Sequence, residues 1–279
     1  MVWSDGPPPS PLLHLNTHME HQLIGKHALV CGSTQGIGKA TALELARLGA
    51  HVTLLARNGE ALRAVQAQLS TEHGASHGIV VADMANTTAL AAAIAQHVAD
   101  TPVDILVNNT GGPAPGPAHL AEVDAFEAAF RQHLLGFQTL VRACVPGMQQ
   151  RGHGRIINVI STSVKQPLPN LGVSNTIRGA VANWGKTLAT ELGPFGITVN
   201  NVLPGATETE RLAAIITNKA TKTSMSEEHV RDEMLHEIPL RRFARPEEIA
   251  AAVAFLAGPS GAYINGINLP VDGGRTACL

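Results

Sequence analysis

The sequence contains very few aromatic residues. Phenylalanine, tryptophan and tyrosine together make up 3% of the 279 residues, and the only tyrosine is Tyr263, near the C-terminus. Alanine, valine, leucine and isoleucine must therefore build any core, and the hydrophobic fraction of 44% is large enough for one. Because tyrosine occurs once, no tyrosine elsewhere in the chain can serve as an acid or base.

The sequence also lacks a strong net charge, long apolar runs and clustered cysteines. A formal net charge of −2 indicates neither a basic face for nucleic acid nor a polybasic patch for a membrane surface. No apolar run approaches the roughly 18–20 residues that a membrane span needs. Cys31, Cys144 and Cys278 are far apart and match no zinc spacing, which favours reduced thiols, a cytoplasmic setting and no bound metal.

Residues 1–22 differ in composition from the rest. The run Gly6-Pro7-Pro8-Pro9-Ser10-Pro11 suits neither a helix nor a sheet ladder, and no signal-peptide pattern precedes it. His14, His18 and His21 have a loose helical spacing that could hold a metal, but a mobile tail is the favoured interpretation. We therefore predict a mobile N-terminal extension at 1–22 and a single domain at 23–279.

From Lys26 onward, strand-like and helix-like segments alternate. The predicted strands are His27–Cys31, His51–Ala56, Gly78–Val81, Val103–Val107, Arg155–Ile160, Ile197–Val202 and Ile267–Val271. The predicted helices are Gly38–Leu48, Glu60–His73, Thr87–Ala99, Ala121–Gln150 with a break near Pro146-Gly147, Leu171–Leu192 and Pro246–Leu256. Apolar strands separated by helices of this length predict an α/β fold, a single doubly wound domain with about seven parallel strands and helices on both faces.

The segment Thr207–Ile238 departs from this alternation. It is polar and rich in Thr and Glu, and an insertion of that size beside a parallel sheet is commonly a lid or substrate loop. Arg211, Lys219 and Lys222 within it could meet an acidic carrier or phosphopantetheine, although a solvated helix face is the simpler interpretation.

A glycine-rich loop follows the first predicted strand and opens the first helix. Its residues are Gly32, Ser33, Thr34, Gln35, Gly36, Ile37 and Gly38. Glycines there permit a tight turn and a close approach of the backbone to a diphosphate, and the helix N-terminus supplies free N–H groups. An ordinary glycine-rich turn is the alternative, but the strand before the loop and the helix after it favour a dinucleotide site.

The second predicted strand lacks an acidic residue at its end. A site for NAD usually carries Asp or Glu there, to bind the ribose 2′-hydroxyl. This strand instead ends Leu54-Leu55-Ala56-Arg57-Asn58. Arg57 could pair with a 2′-phosphate, or it could be a solvated charge. The pattern predicts NADP(H), with NAD(H) the less favoured cofactor.

Together these features resemble the short-chain dehydrogenase/reductase family over nearly all of the chain from Gly25. The matching segments are CGSTQGIG (31–38), Asp83, NNTG (108–111), the strand that ends at Ser161, Leu203-Pro204-Gly205 with Thr209, Tyr263-Ile264-Asn265-Gly266 and Val271-Asp272-Gly273-Gly274. Within the family, the sequence is most similar to 3-oxoacyl-[acyl carrier protein] reductase, and to a divergent subgroup of it that lacks the Tyr-x-x-x-Lys pair. The resemblance implies a Rossmann domain and a homo-oligomer, either a tetramer or a dimer.

The resemblance also implies which residues contact the cofactor. Beside the glycine-rich loop and Arg57, these are Asp83 and Met84 at the adenine, Asn109, Thr110 and Gly111 at the riboses, Arg178 at the nicotinamide ribose, and Pro204, Gly205, Thr207 and Thr209 at the carboxamide. Most of the contacts in this set use backbone atoms. We therefore expect nucleotide binding to survive the differences between this sequence and the family pattern.

The catalytic positions implied by the resemblance have changed. The family carries Asn, Ser, Tyr and Lys, whereas this sequence has His133, Ser161, Ser174 and Arg178. A serine hydroxyl is too weak an acid to replace tyrosine, and Arg178 stays charged and cannot relay a proton. His133 could pass the proton directly or through water, or it could be a packing residue. Ser163 is a second candidate for the serine that the family retains at the catalytic position.

Two functions remain open on these observations. The first is an NADP(H)-dependent oxidoreductase that acts on a carbonyl, a secondary alcohol or an acyl thioester, with Ser161 polarising the carbonyl. The second is a catalytically weak or inactive NADP(H)-binding protein that serves as a sensor or scaffold. Loss of a general acid typically lowers a rate by about 10²–10⁴, so the missing tyrosine predicts a weakened or rerouted enzyme without proving an inert one.

Overall fold

The computed structural model describes residues 22–278, and its centre is a seven-stranded parallel sheet. The strands are β1 (His27–Cys31), β2 (His51–Ala56), β3 (His77–Val81), β4 (Ile105–Asn108), β5 (Gly154–Val159), β6 (Ile197–Pro204) and β7 (Asn268–Val271). Their order is β3-β2-β1-β4-β5-β6-β7. Most of the predicted extension, together with its three histidines, lies outside the described residues.

Helices cover both faces of this sheet. They are α1 (Gly36–Arg47), α2 (Gly59–Gln66), α3 (Thr87–Asp100), α4 (Val123–Phe130), α5 (Gly136–Arg151), α6 (Gly172–Leu192), α7 (Glu210–Thr223), α8 (Glu227–His236) and α9 (Pro246–Ala257). Helices α1, α2 and α9 share one apolar cluster with the sheet, and α3, α5 and α6 share the other. The predicted doubly wound fold is thus confirmed. None of the helices in residues 22–278 is long and apolar enough to cross a membrane.

The long helix predicted over Ala121–Gln150 is interrupted, but at a different place from the one predicted. A π-helical turn, Arg131–Leu135, separates α4 from α5. The predicted break near Pro146 is wrong, because α5 continues through Pro146 to Arg151. Cys144 and Met148 on either side of the proline are buried in the core, and this packing outweighs the roughly 3 kcal/mol that proline costs inside a helix.

The predicted lid segment is largely helical. It contains α7 and α8, which pack through a small apolar cluster of their own that includes Leu212, Ile216 and Val230. Thr209 begins α7, because its Oγ1 accepts a hydrogen bond from the backbone N–H of Leu212 at 3.3 Å. The segment is therefore an organised subdomain on the sheet, and its action as a lid stays a prediction.

A row of four asparagines joins β4, β5, β6 and β7 through their side chains. Asn108 donates to Asn158 at 2.8 Å, Asn158 to Asn201 at 2.9 Å, and Asn201 to Asn268 at 2.9 Å. Each pair occupies the same register position on neighbouring strands. Since the first three are almost completely buried, each amide depends on the next for its hydrogen bonds.

The strand order changes direction between β1 and β4. From β1 the chain continues to β2 and β3 on one side of β1, whereas β4 lies on the other side. In open parallel sheets, ligands bind in the crevice at the carboxyl ends of the strands at such a point. The loops that follow β1, β4, β5 and β6 meet there.

Candidate active site

The glycine-rich loop after β1 packs too tightly for side chains. A Cβ on Gly38 would lie 2.1 Å from the carbonyl oxygen of Gly32, and one on Gly32 would lie 2.8 Å from Nδ2 of Asn109. Gly32 also has φ +58, in the left-handed region that favours glycine. Asn109 fastens the loop to the end of β4, donating to the carbonyls of Cys31 and Gly32 at 3.2 and 3.3 Å.

The start of α1 leaves hydrogen-bonding groups available. Gln35 stands at the N-cap position without a side-chain capping bond, so the first N–H groups of the helix have no such partner. Ser33 is fully buried, and its Oγ has no hydrogen-bond partner among the described residues. Free N–H groups at a helix N-terminus and an unpaired buried hydroxyl fit the diphosphate of a dinucleotide.

The end of β2 presents a free arginine. Arg57 is exposed, and no hydrogen bond or ion pair of its side chain occurs within residues 22–278. The next residue, Asn58, caps α2 by accepting from the N–H groups of Glu60 and Ala61 at 3.1 Å each. The chain therefore turns sharply after Arg57 and leaves the guanidinium available for a 2′-phosphate.

The other predicted cofactor residues lie on loops at the same edge of the sheet. Asp83 closes a turn after β3 by accepting from Ala85 at 2.9 Å, and Met84 beside it is buried. Thr110 and the carbonyl of Gly111 both accept from Gln132. Pro204 ends β6, Gly205, Thr207 and Thr209 follow it, and Thr207 donates to the carbonyl of Gly205 at 3.0 Å.

Ser161 lies directly beyond β5 with its hydroxyl proton unused. Its Oγ accepts from the N–H of Ser163 at 3.1 Å, and no described residue accepts a hydrogen bond from it. The side chain can therefore still donate to a ligand. Ser163 is buried, and its Oγ has no partner in the described part of the chain. The half-buried Ser161 is the serine better placed to meet a substrate.

Arg178 of α6 reaches back to the end of β5. Its Nη1 donates to the carbonyl of Ile160 at 2.7 Å, and its Nε donates to Oγ of Ser174 at 3.3 Å. The guanidinium thus lies next to the peptide that carries Ser161. Burial, with a smaller effect from the charge of Arg211, lowers the pKa of Arg178 to about 10. Arg178 is still a cation at physiological pH.

His133 sits in the π-helical turn and is 1% exposed. Burial, together with the positive charges of Arg178 and Arg211, lowers its pKa to about 3. Its ring lies near the backbone of Gly111, but neither nitrogen reaches hydrogen-bond geometry with any described residue. The imidazole is therefore neutral at physiological pH. A role for His133 in proton transfer stays a prediction, restricted to the neutral ring.

Two features of the site were missed by sequence reasoning or given little weight. Gln132 joins the loop after β4 to the π-helical turn, and nothing in its sequence context signals this contact. For Arg211 the sequence indicates only a possible contact with an acidic carrier or phosphopantetheine, or a solvated helix face. Its Nη1 donates to the carbonyl of Gly112 at 2.9 Å, which ties α7 to the same loop.

The family comparison agrees with this geometry. The family described as enoyl-(acyl carrier protein) reductase matches residues 32–276, from the glycine-rich loop to beyond β7. This chain belongs to the short-chain dehydrogenase/reductase family. The predicted resemblance is confirmed, and with it the assignment to a family of oxidoreductases.

Individual members of the short-chain dehydrogenase/reductase family match almost the whole chain. The NADPH-dependent reductase BacG of Bacillus subtilis is 31% identical over 88% of this chain and 96% of its own length. Gluconate 5-dehydrogenase of Gluconobacter oxydans is 32% identical over 92% of this chain and 97% of its own. The structure of L-sorbose reductase from Gluconobacter frateurii with NADPH and L-sorbose superposes with a TM-score of 0.87, at 31% identity, covering 94% of this chain and all of that one.

These relatives support the predicted cofactor. One is named for its dependence on NADPH, and another was solved with NADPH bound. In this chain the tight glycine loop, the open N-terminus of α1 and Arg57 are the groups predicted to contact it. The predicted cofactor, NADP(H), is confirmed by these relatives. The roles of individual site residues stay predictions.

Proposed function

We propose that this short-chain dehydrogenase/reductase transfers hydride between NADP(H) and a carbonyl or secondary alcohol, through an altered catalytic set. The observation that carries the proposal is the position of Ser161. Its unused hydroxyl lies at the carboxyl edge of the sheet, beyond β5, at the edge where Asn109 holds the glycine-rich loop. A donor for a carbonyl oxygen and a dinucleotide loop are thus present in the same crevice.

Ser161 and Arg178 stabilise the charge that develops during reduction. Bound NADPH supplies the hydride. The Ser161 hydroxyl donates to the carbonyl oxygen, and the Arg178 cation, held at the neighbouring peptide by the Ile160 carbonyl, favours negative charge there. Fixed donors in a partly buried site act strongly, because the low dielectric weakens screening and no reorganisation is needed.

The proton for the alcohol takes a different route from the one used with tyrosine. Ser174 accepts from Arg178, which leaves its own O–H free to donate. A serine hydroxyl is too weak an acid to lose the proton without being reprotonated at once, so it acts as a relay to water. The neutral His133 ring near Arg178 is a further relay. This route is slower than one through a tyrosine of lowered pKa.

The substrate is a small molecule, in keeping with the named substrates of the relatives. Those names include gluconate, which carries a carboxylate, and L-sorbose, which is uncharged. Another relative, from Streptomyces coelicolor, is named a putative ketoacyl reductase, and the family description names an acyl carrier protein. The comparisons therefore leave the charge of the substrate open, and an acyl thioester stays within the proposal.

Replacing Ser161 with alanine should lower kcat/KM by at least about a hundredfold, since a donor aimed at the developing oxyanion is lost. NADPH oxidation would be followed with sugar ketones, cyclic ketones, oxo acids and 3-oxoacyl thioesters. Ser76→Ala, a change of the same kind at an exposed position far from the site, should leave the rate unchanged. NADPH binding without turnover of any compound would favour the sensor or scaffold instead.

Replacing Arg57 with alanine should weaken NADPH binding about tenfold or more and leave NADH binding nearly unchanged. The lost charge-assisted hydrogen bonds are worth roughly 1.5–3 kcal/mol, less whatever solvent screening removes at this exposed position. Dissociation constants of both cofactors would be measured by fluorescence titration. Arg63→Ala, an exposed change on α2 beyond the turn, is the matched control. Equal weakening of both cofactors would refute the assignment of Arg57.

Cytoplasmic location and assembly as a dimer or tetramer are part of the same proposal. Cys31, Cys144 and Cys278 are all free thiols, as expected for a reducing compartment. Large apolar side chains are exposed near α4 and near the C-terminus, including Val123 at 70% and Tyr263 at 103%. Burying them between subunits would remove this apolar surface from water.

A further inference from the structure

Two arginines from different helices converge on the loop after β4. Arg211 of α7 donates to the carbonyl of Gly112 at 2.9 Å and to that of Pro113 at 3.2 Å. A Cβ placed on Gly112 would lie 2.5 Å from Nη2 of Arg211 and 3.2 Å from Nη2 of Arg178. The ends of the two guanidiniums therefore lie close to each other against Gly112, where any larger residue would collide with Arg211.

No acidic residue in the described part of the chain compensates these two charges. Neither arginine takes part in any of the ion pairs between residues 22 and 278. Arg178 is 7% exposed, whereas Arg211 keeps an accessible face. A buried cation beside a second cation is costly unless an anion is bound. Burial, with a smaller effect from the charge of Arg211, lowers the pKa of Arg178.

Both guanidiniums keep N–H groups that make no hydrogen bond within the described residues. The bonds of Arg178 within the described residues use Nε and Nη1, so its Nη2 is free. Arg211 uses two of its five N–H groups on the carbonyls. The backbone oxygens hold the two guanidiniums in place but do not neutralise their positive charges. Such an arrangement is suited to a planar anion that accepts two hydrogen bonds at once.

The pair lies at the carboxyl edge of the sheet, between the segment after β5 and the loop after β4. Arg178 contacts the peptide that precedes Ser161. By contrast, Gly36 of the diphosphate loop faces Thr209, with a distance of 3.2 Å from a Cβ at 36 to Cγ2 of Thr209. Two residues further along, Arg211 turns to the loop after β4. An anion bound by Arg178 would therefore lie near the peptide that carries Ser161.

We propose that Arg178 and Arg211 together bind a carboxylate of the substrate, so that the preferred substrates are oxo acids and the corresponding hydroxy acids. The inference rests on the proposed oxidoreductase function and names the substrate class of the same site. Arg211 acts as a specificity-determining residue, because it joins the substrate to both α7 and the loop after β4. Arg178 both binds this carboxylate and supports the developing charge at the carbonyl.

The test measures binding to the protein loaded with NADP⁺, because the oxidised cofactor cannot reduce a ketone and turnover does not interfere. Pyruvate, acetoacetate and levulinate, each beside its methyl ester, would be titrated by calorimetry. At least one acid should bind about tenfold or more tightly than its ester, as expected for a charge-assisted pair. No preference for any acid over its ester, or no binding of any, overturns the proposal.

Arg211→Gln should bring the favoured acid to within about threefold of its ester without changing the affinity of the ester. Arg211→Lys keeps the charge but not the fork, and should retain part of the preference. If Arg211→Gln loosens α7, the lysine variant still tests whether the guanidinium of Arg211 sets the preference. Lys222→Gln removes one charge from an exposed position three turns along the same helix and should change nothing. A preference that survives Arg211→Gln overturns the proposal.

The cofactor is the other possible source of an anion, and the same variants separate the two. If Arg211→Gln weakens NADP⁺ about tenfold and leaves the ratio of acid to ester intact, the pair serves the cofactor and the proposal is wrong. If the protein reduces neutral ketones and shows no preference for acids, this inference is wrong and the proposed oxidoreductase function is supported. If the protein binds oxo acids through Arg211 but reduces none of the compounds, only the proposed oxidoreductase function is wrong.

Discussion

Replacing Gly38 with alanine should weaken NADPH binding by at least about a hundredfold, or nearly 3 kcal/mol. The new methyl group would lie 2.1 Å from the carbonyl oxygen of Gly32 and 2.7 Å from Nδ2 of Asn109. Both are held by the backbone or by hydrogen bonds, so the glycine-rich loop itself must move. Its N–H groups would then no longer point at the position of the diphosphate.

The measurement is a fluorescence titration of NADPH, together with urea unfolding to show that the protein is folded. Crowding of this kind typically costs about 1–3 kcal/mol of stability, which a domain of this size can tolerate. Gly179→Ala is the matched control, because a Cβ there has no neighbour within 4 Å and the position is inside α6. That change should stabilise the helix by up to about 1 kcal/mol. A folded Gly38→Ala protein with normal NADPH affinity would contradict the assignment of the loop.

Replacing Asn158 with alanine should lower the free energy of unfolding by about 2–5 kcal/mol. The substitution removes the centre of the asparagine row and leaves Nδ2 of Asn108 and Oδ1 of Asn201 without these partners. Each buried polar group left unpaired costs about 1–3 kcal/mol. Since domains are typically stable by only 5–15 kcal/mol, this is a large share of the total.

Urea unfolding at one fixed protein concentration would measure the loss. Asn218→Ala is the control, because Asn218 is an exposed residue of α7 that bonds only to the carbonyl of Ala214 in its own helix. Its free energy of unfolding should change by no more than about 0.5 kcal/mol. A loss below about 1 kcal/mol for Asn158→Ala would mean that water or relaxation of the strands replaces the missing amide.

The fold could be predicted from local patterns because each element carries its own signal. The apolar residues of β1, the glycine loop after it and the periodic apolar face of α1 are contiguous, and they indicate their structure without reference to distant residues. The location of Arg57 could also be predicted, because Arg57 directly follows the last residue of β2. Predicted ends of helices were less accurate. The second helix ends at Gln66 rather than at His73, where the chain enters a short 3₁₀ turn.

The asparagine row illustrates what local patterns cannot supply. Asn108, Asn158, Asn201 and Asn268 are 43 to 67 residues apart where they bond to one another. In the sequence each reads as a polar residue in an apolar strand. Only the strand register places them side by side, and only then does their pairing explain why polar groups are tolerated in the core.

The sequence alone determined the alternating strands and helices and the preference for NADP(H), and it predicts the dinucleotide loop and the replacement of the tyrosine and lysine. The tertiary structure decided the protonation of His133 and the partners of Arg178 and Arg211. A pKa depends on the surrounding dielectric and on charges from other elements, which no local pattern encodes. His133 is buried within the π-helical turn, and a contact between α7 and the loop after β4 brings a second arginine beside Arg178.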